Sequence, residues 1–264
     1  KEEEAGLSGV MNAGQYSGQF GLVSAVATVK VQGRDRMLMA ASTGTQVRIL
    51  LVTPRAGGTG VDVQDLQTIT VGPFSSSSLA ILSRATFANL DNDPGATPDL
   101  VIAAQPDARV FVYRASRIST IDPVVYPAGS TLLTAPTGPT KNFGLWVSAG
   151  QLDTDANEEL IVSQTGSSDS KRRGSWPGAV HVFDHDLAHV ATVTPTTSPA
   201  LVFEDVFPHG SVLADVTGDG LADIVCLDES DGTVCLLLAD TSRQKAWLPA
   251  NFRPPPSRMQ PGSP

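Results

Sequence analysis

Four segments of the chain share one internal spacing, and this repeat restricts the fold more than any other feature. Each segment has a polar or acidic turn that leads into a short apolar strand, and the strands begin at Met37, Leu100, Leu160 and Ile224. These starts are 63, 60 and 64 residues apart. A valine opens another strand ten residues after three of the starts; after Leu160 the interval is twenty, because a polar loop around 167–177 is inserted. Such periods are typical of solenoids and propellers.

Each copy is predicted to form a four-stranded antiparallel sheet. Third strands are expected at Val47–Val52, Val110–Tyr113 and Val180–Phe183, and fourth strands at Leu66–Val71 and His189–Val193. Gly (24) and Pro (19) are plentiful, and no stretch keeps the 3.6-residue period of an amphipathic helix. One such unit cannot bury both of its faces, and radial packing of several units is the usual solution. We therefore predict an all-β fold, a β-propeller of four-stranded antiparallel blades with about four repeats visible.

The repeat also divides the chain into segments. The approximate copies are 18–72, 73–136, 137–199 and 200–240. Residues 1–17 are predicted to be an N-terminal extension, and residues 241–264 a Pro-rich C-terminal tail. Three copies contain an aromatic-led turn 17 residues before the strand start, at Phe20-Gly21, Phe143-Gly144 and Phe207-Pro208.

The turns before the strands predict calcium sites. Numbered from Asp215 as position 1, the fourth turn has carboxylates at positions 1, 5 and 9 and Gly220 at position 6. Calcium takes six to eight oxygen ligands, which alternate positions of a tight loop can aim at one point. Three carboxylates without a cation would repel one another. The predicted ligand sets are Asp215, Thr217, Asp219, Leu221 and Asp223 in the fourth turn, Asp153, Asp155, Asn157 and Glu159 in the third, and Asp91, Asp93 and Asp99 in the second.

The first turn differs in charge. Aligned in the same way, it has Thr28, Lys30, Gln32, Gly33 and Arg36 at the corresponding positions. Two cations at ligand positions disfavour a metal, so we expect no ion there and calcium at two or three of the other turns. The competing interpretation for every turn is that Asp and Gly simply favour tight turns.

Phe-Gly followed by an Asp-rich turn and a hydrophobic strand resembles the FG-GAP repeat of integrin α-subunit propellers. The segments FGLWVSAGQLDTDANEELIVS and FPHGSVLADVTGDGLADIVCL are most similar to it, and the resemblance covers roughly residues 18–240. It implies structural calcium on the blade loops and a role in adhesion and protein interaction. Propellers of that family usually have seven blades, whereas four repeats are visible here.

Charge and composition exclude other classes. The net charge of −9 argues against nucleic-acid binding, which needs a concentrated basic surface. The one basic cluster, Lys171-Arg172-Arg173, is expected to be a solvated loop tip. No run of 18 apolar residues is present, so no membrane insertion is expected. Cys226 and Cys235 flank one hairpin, and they are either a bonded pair or two buried apolar residues.

No catalytic motif emerges from the sequence. His181, His185 and His189 are four residues apart, but a strand, a turn at Asp184–Asp186 and a second strand fit the repeat better than a zinc site. We therefore expect a non-enzymatic, calcium-stabilised propeller that binds other protein subunits in a surface or extracellular assembly. The alternatives are a glycan-binding propeller, with Trp146 and Trp176 as candidate platforms, and an accessory domain of a secreted hydrolase or lyase.

Overall fold

The fold is described by a computed structural model for residues 23–43, 46–72, 84–91, 97–104, 108–115, 126, 129–136, 143–153, 155–164, 178–193, 210–228 and 233–237. Every regular element in these residues is a β-strand, which confirms the predicted all-β class. No helix among them is long and apolar enough to cross a membrane. The predicted features that lie outside the described residues are Phe20-Gly21, Phe207-Pro208, Asp93, Lys171–Arg173, Trp176 and the terminal segments 1–17 and 241–264.

The strands form four antiparallel sheets in chain order, one for each predicted copy. The first sheet contains β1 (Val23–Val31), β2 (Arg34–Thr43), β3 (Gln46–Pro54) and β4 (Val61–Thr70). The second contains β5 (Arg84–Ala88), β6 (Asp99–Ala104), β7 (Arg109–Tyr113) and β8 (Thr131–Leu133). The third contains β9 (Phe143–Gly150), β10 (Glu159–Gln164), β11 (Ala179–Phe183) and β12 (His189–Val193). The fourth contains β13 (Gly210–Ala214), β14 (Asp223–Asp228) and β15 (Thr233–Leu237). In each sheet the order of neighbouring strands follows the order along the chain.

Strand β6 illustrates how one strand contributes to two cores. All six of its residues are buried. Because successive side chains of a strand point to opposite faces, Leu100 and Ile102 join the core shared with the first sheet, whereas Val101 and Ala103 join the core shared with the third. A strand that is covered on both faces is therefore a continuous apolar run.

Consecutive sheets pack face to face along the whole described chain. One core cluster joins the first and second sheets, another joins the second and third, and a third joins the third and fourth. The first strands of consecutive sheets, β1, β5, β9 and β13, lie next to one another. Cys226 and Cys235 are directly opposite on β14 and β15, and Cys226 is buried in the core between the third and fourth sheets.

The Phe-Gly pair that opens β9 has a packing role. Phe143 is fully buried between the second and third sheets. Gly144 has a φ of +78°, and a Cβ atom at this position would be 2.9 Å from the carbonyl oxygen of Arg109 on β7. Only glycine combines this backbone conformation with so close an approach between two sheets.

Replacing Gly144 with alanine is expected to destabilise the fold through both effects. Gly58 provides a control, because its φ is +80° but an added Cβ would meet no atom within 4 Å. Gly58→Ala should lower the free energy of unfolding by about 1–2 kcal/mol, the cost of left-handed backbone for an ordinary residue. Gly144→Ala should cost at least about twice as much in denaturant unfolding, because the clash adds to that cost. Equal losses would contradict the packing role.

The first turn does not form the loop that the alignment predicted. Thr28 and Lys30 lie in β1, Arg36 lies in β2, and the connection is only Gln32 and Gly33, with φ values of 52° and 72°. Two central residues with positive φ are typical of the tight hairpin turn whose twist matches that of the flanking strands. A two-residue connection leaves no loop to wrap around an ion.

Candidate metal centre

The third acidic turn gathers carboxylates at the start of β10. Asp153, Asp155 and Glu159 each offer an oxygen, and these three atoms all lie within 4.8 Å of one another. The Glu159 side chain is buried, and its Oε2 accepts a 2.6 Å hydrogen bond from the Leu152 N–H, so the strand holds the turn closed. The Asp155 N–H donates to Asp153 Oδ1 (2.8 Å), and the Asn157 N–H donates to Asp155 Oδ1 (2.7 Å). Three of the four predicted ligands of this turn therefore converge.

Among the described residues of this turn, two buried oxygens have no hydrogen-bond partner. They are Oε1 of Glu159 and Oδ1 of Asn157, at positions 9 and 7 of the turn. A buried polar atom left without a partner costs about 1–3 kcal/mol, and a bound water or ion is one way to satisfy it. The donor set contains oxygen alone, which is the chemistry of a hard cation such as calcium. The residues present therefore fit the predicted ion.

The electrostatics of the turn point in the same direction. Burial is the main cause that raises the pKa of Glu159 to about 8; the Leu152 N–H opposes this rise, and the negative charges of Asp153, Asp155 and Asp184 add to it. A divalent cation would reverse this balance, because it favours the ionised form of every carboxylate around it.

The fourth turn uses its carboxylates differently. Asp215 accepts hydrogen bonds from the N–H groups of Gly218 (2.6 Å), Asp219 (3.1 Å) and Gly220 (2.9 Å). These donors, that of Gly220 first, lower the pKa of Asp215. Asp219 Oδ1 accepts from the Leu221 N–H at 3.0 Å. In this turn the carboxylates organise the backbone.

At position 9 of the fourth turn, Asp223 is fully buried. Its Oδ2 accepts hydrogen bonds from the N–H groups of Val216 (3.0 Å) and Thr217 (3.2 Å). The carboxylates of Asp215, Asp219 and Asp223 are not among the groups of described residues whose oxygens all approach within 4.8 Å. Calcium in this turn stays a prediction, and it requires these side chains to turn towards a common point.

The second turn has a protein cation beside its buried carboxylate. Asp99, at position 9, is 1 % exposed, and Arg114 donates to its Oδ2 through Nη1 at 2.9 Å. The Ala115 N–H donates to its Oδ1 at 2.7 Å. Burial nevertheless raises the pKa of Asp99. Of the other predicted ligands of this turn, Asp91 is exposed and Asp93 lies outside the described residues.

The residue that the sequence interpretation missed is Arg114. It is four residues after Val110, and the residue four after Val180 in the third copy is Asp184. Asp184 lies close enough to Glu159 to raise its pKa, whereas Arg114 binds the equivalent carboxylate, Asp99. The signal was therefore present in the repeat, as opposite charges at one position of two copies.

Hydrogen bonds connect the turns of neighbouring sheets. The Glu158 N–H donates to the Asn89 carbonyl at 2.8 Å, and the Asn89 N–H donates to Glu158 Oε2 at 2.6 Å. The Ala222 N–H donates in the same way to the Gln151 carbonyl at 2.7 Å. In both cases the hydrogen bonds connect position 8 of one turn to position 1 of the preceding turn. Pro98 occupies position 8 in the second copy, where it has no N–H to donate.

The three histidines of the third sheet do not share one ligand point. His181 is buried, with Nε2 2.8 Å from Gln164 Oε1 and Nδ1 3.0 Å from Thr192 Oγ1. His185 lies in the predicted turn, with Nδ1 2.7 Å from Asp184 Oδ1 and 3.8 Å from Asp155 Oδ2. The strand–turn–strand interpretation of this segment is confirmed, because β11 ends at Phe183 and β12 begins at His189.

Folding stability should fall in acid because His181 is buried in its neutral form. Burial, with a smaller contribution from His189, lowers the pKa of His181 to about 4 from an ordinary 6.5. Below pH 6.5 the unfolded chain takes up a proton that the folded chain refuses, so stability present above this pH is lost towards pH 4. The loss reaches about 3 kcal/mol. Denaturant unfolding measures the free energy of unfolding across this pH range. It should fall less steeply with decreasing pH in His181→Gln than in His185→Gln. Equal slopes for the two variants would contradict the role of His181.

Trp146, a predicted glycan platform, is partly buried on β9. The guanidinium carbon of Arg84 lies 4.3 Å from the centre of a Trp146 ring, a cation–π contact between β5 and β9. That contact occupies a ring face which a sugar would need.

These observations define an all-β protein of four packed antiparallel sheets with acidic turns at the joints. No family model matches the chain, and no curated protein matches it. Among solved structures it is similar to Chaetomium thermophilum Sqt1 bound to the N-terminus of the ribosomal protein L10, with 12 % sequence identity and a TM-score of 0.44. The match covers 91 % of this chain and 51 % of that chain, so this chain spans about half the length of Sqt1.

Proposed function

We propose that the protein is a non-enzymatic, calcium-stabilised β-propeller of the FG-GAP type that acts as a protein-interaction or adhesion module. In this proposal it is a subunit of a larger surface or extracellular assembly. The observation that carries it is the pair of unpartnered buried oxygens, Glu159 Oε1 and Asn157 Oδ1, in the turn where Asp153 and Asp155 converge on Glu159.

The position of the turn supports a structural role for the ion. Glu158 lies between Asn157 and Glu159, and it forms both hydrogen bonds that connect the third turn to Asn89 of the second sheet. An ion held by the residues on either side of Glu158 would fix its backbone. Calcium would therefore stiffen the joint between two sheets and leave other loops for partner binding.

The face-to-face packing of consecutive sheets supports the propeller in the proposal. Consecutive sheets share cores, and their first strands lie side by side. In a propeller, sheets arranged in this way surround an axis that the first strands line.

Calcium binding tests the proposal directly. Isothermal titration calorimetry of chelator-treated protein should show calcium binding that is much stronger than magnesium binding, because an irregular oxygen set suits the larger ion. Glu159→Gln should weaken the strongest calcium site at least tenfold, since it removes the charge of a buried ligand.

The matched control is Asp62→Asn, which removes one carboxylate from an exposed ion pair with Arg55 outside the acidic turns. It should leave calcium affinity unchanged. Absence of calcium binding at millimolar concentrations, or equal affinity in Glu159→Gln and wild type, would reject the proposed function.

A further inference from the structure

The first and fourth sheets each present one face that no other sheet covers in the described part of the chain. Among the described residues the three core clusters join only consecutive sheets, so these residues leave one face at each end of the series without a covering sheet. We call these the first end face, formed by Val26, Met37, Met39, Leu50 and Val52, and the fourth end face, formed by Val212, Val225 and Leu236. Both sets are apolar, and the Arg48–Asp65 ion pair lies on the same side of the first sheet, beside Leu50.

The strand register places the residues of the first end face on one side of the sheet. Val26 pairs with Met39 and Met39 with Leu50, while Met37 pairs with Val52. Val26 is 54 % exposed and Met37 is 39 % exposed, whereas Leu50 and Val52 on the same face are buried. Large apolar side chains are seldom exposed together in this way without a partner.

The repeat shows what normally covers this face. Met37 has three counterparts at the strand starts of the other sheets, and each of them is fully buried against the preceding sheet: Leu100, Leu160 and Ile224. Met37 is thus at a position that is built to receive a preceding sheet.

The fourth end face is the other half of the same joint. Val212 pairs with Val225 and Val225 with Leu236, and Val212 is 47 % exposed. Val225 has three counterparts that are fully buried: Leu38, Val101 and Ile161. Each of these joins the core with the following sheet. The fourth end face is thus at a position that is built to receive a following sheet.

We propose that a second copy of this chain covers both end faces. The fourth end face of each copy packs on the first end face of the other, and the two joints close a two-fold symmetric ring of eight sheets. Head-to-tail contacts form closed rings when their geometry permits it, and here the same joint is already repeated three times within one chain.

Charge favours this pairing over contact between two first end faces. Lys30 and Arg34 are exposed on the first hairpin beside one acidic residue, Asp35, whereas Asp215 and Asp219 are exposed on the fourth turn. Within the chain, the third and fourth turns each bind the turn before them, as Ala222 binds Gln151. The same packing between copies places the cationic hairpin beside the acidic turn, while two first end faces would bring like charges together.

The inference rests on the radial arrangement in the proposed function, not on calcium. Its test is the mass in solution of the full chain and of two variants, measured by sedimentation velocity. Wild type should be a dimer. Met37→Lys blocks the first end face and Val212→Lys blocks the fourth, so each variant alone should be monomeric. An equimolar mixture should regain dimers, because one joint in the mixed pair has two intact faces.

The matched control is Leu132→Lys, since Leu132 is 44 % exposed on β8, away from both end faces. It should remain dimeric, and circular dichroism should show that all three variants keep the β-sheet spectrum. If a variant unfolds, Val26→Lys or Val225→Lys replaces it on the same face. A monomeric wild type, a larger open assembly, or dimers of Val212→Lys alone would overturn the proposal. Calcium titration of the same samples tells failure of the ring from failure of the proposed function. A monomer that binds calcium would overturn the ring and leave the proposed function intact.

Discussion

Arg114→Ala is expected to lower the free energy of unfolding by up to about 3 kcal/mol, the low end of the cost of removing one partner from a buried ion pair, because the Arg114 side chain is 35 % exposed. Among the described residues, the remaining hydrogen-bond donor to Asp99 would be the Ala115 N–H, in a site where Asp99 is 1 % exposed. The variant would also lose the 2.6 Å hydrogen bond from Arg114 Nη2 to the His185 carbonyl, which connects the second and third sheets. Urea unfolding at neutral pH measures the loss.

Arg55→Ala is the matched control for this prediction. Arg55 also binds an aspartate, Asp62, but the two side chains are 57 % and 67 % exposed. Surface pairs of this kind contribute about 0–1 kcal/mol. The double variant Arg114→Ala, Asp99→Asn should recover part of the loss, because the neutral amide leaves no unpaired buried charge. Similar losses for Arg114→Ala and Arg55→Ala would show that Arg114 does not neutralise a buried charge.

Acid should reduce the cost of Arg114→Ala. Burial already raises the pKa of Asp99 in the wild type, and loss of Arg114 removes an influence that lowers it. A carboxyl whose pKa is raised on folding is protonated in both states at low pH, and it destabilises the fold only as pH rises above the pKa of the unfolded chain. The difference between wild type and variant should therefore be smaller at pH 4 than at pH 7.

The sheets were predictable from the sequence because their side-chain pattern repeats. The strand starts at Leu100, Leu160 and Ile224 lie one residue inside β6, β10 and β14, and β12 has the predicted bounds. An apolar strand between two sheets has little freedom to shift, since a slip by one residue would exchange its two faces. The all-β class followed from the same pattern.

The connections were less predictable because several local solutions fit the same repeat position. Position 9 of the turn is Arg36 bonded to Thr53 in the first copy and Asp99 paired with Arg114 in the second. It is Glu159 with one unpartnered oxygen in the third, and Asp223 bonded to backbone N–H groups in the fourth. The alignment identified the position, but its partners come from other strands and depend on the tertiary structure. An aspartate at a turn therefore predicts a hydrogen-bond acceptor for backbone N–H groups more reliably than it predicts an ion ligand.

The comparison of Arg114 with Asp184 leads to a test by charge exchange. If an arginine neutralises the second turn and calcium neutralises the third, Asp184→Arg should give the third turn an arginine in place of the ion. In wild type, calcium at 100 times its Kd should add about 2.7 kcal/mol, or roughly 5–10 °C in Tm for a domain of this size. In Asp184→Arg the part of this gain that comes from the third turn should disappear, and the Tm in EDTA should be no lower than that of wild type, because the guanidinium can pair with Glu159.

Asp186→Arg controls for the change in net charge. Asp186 is in the same turn, where its Oδ1 accepts a hydrogen bond from the Ala188 N–H, and it is not among the acidic residues that raise the pKa of Glu159. Whatever its Tm in EDTA, the Tm of Asp186→Arg should still rise with calcium, as in wild type. Thermal unfolding of the three proteins in EDTA and in calcium gives all the comparisons needed. An undiminished calcium response in Asp184→Arg would mean that calcium acts elsewhere than at Glu159.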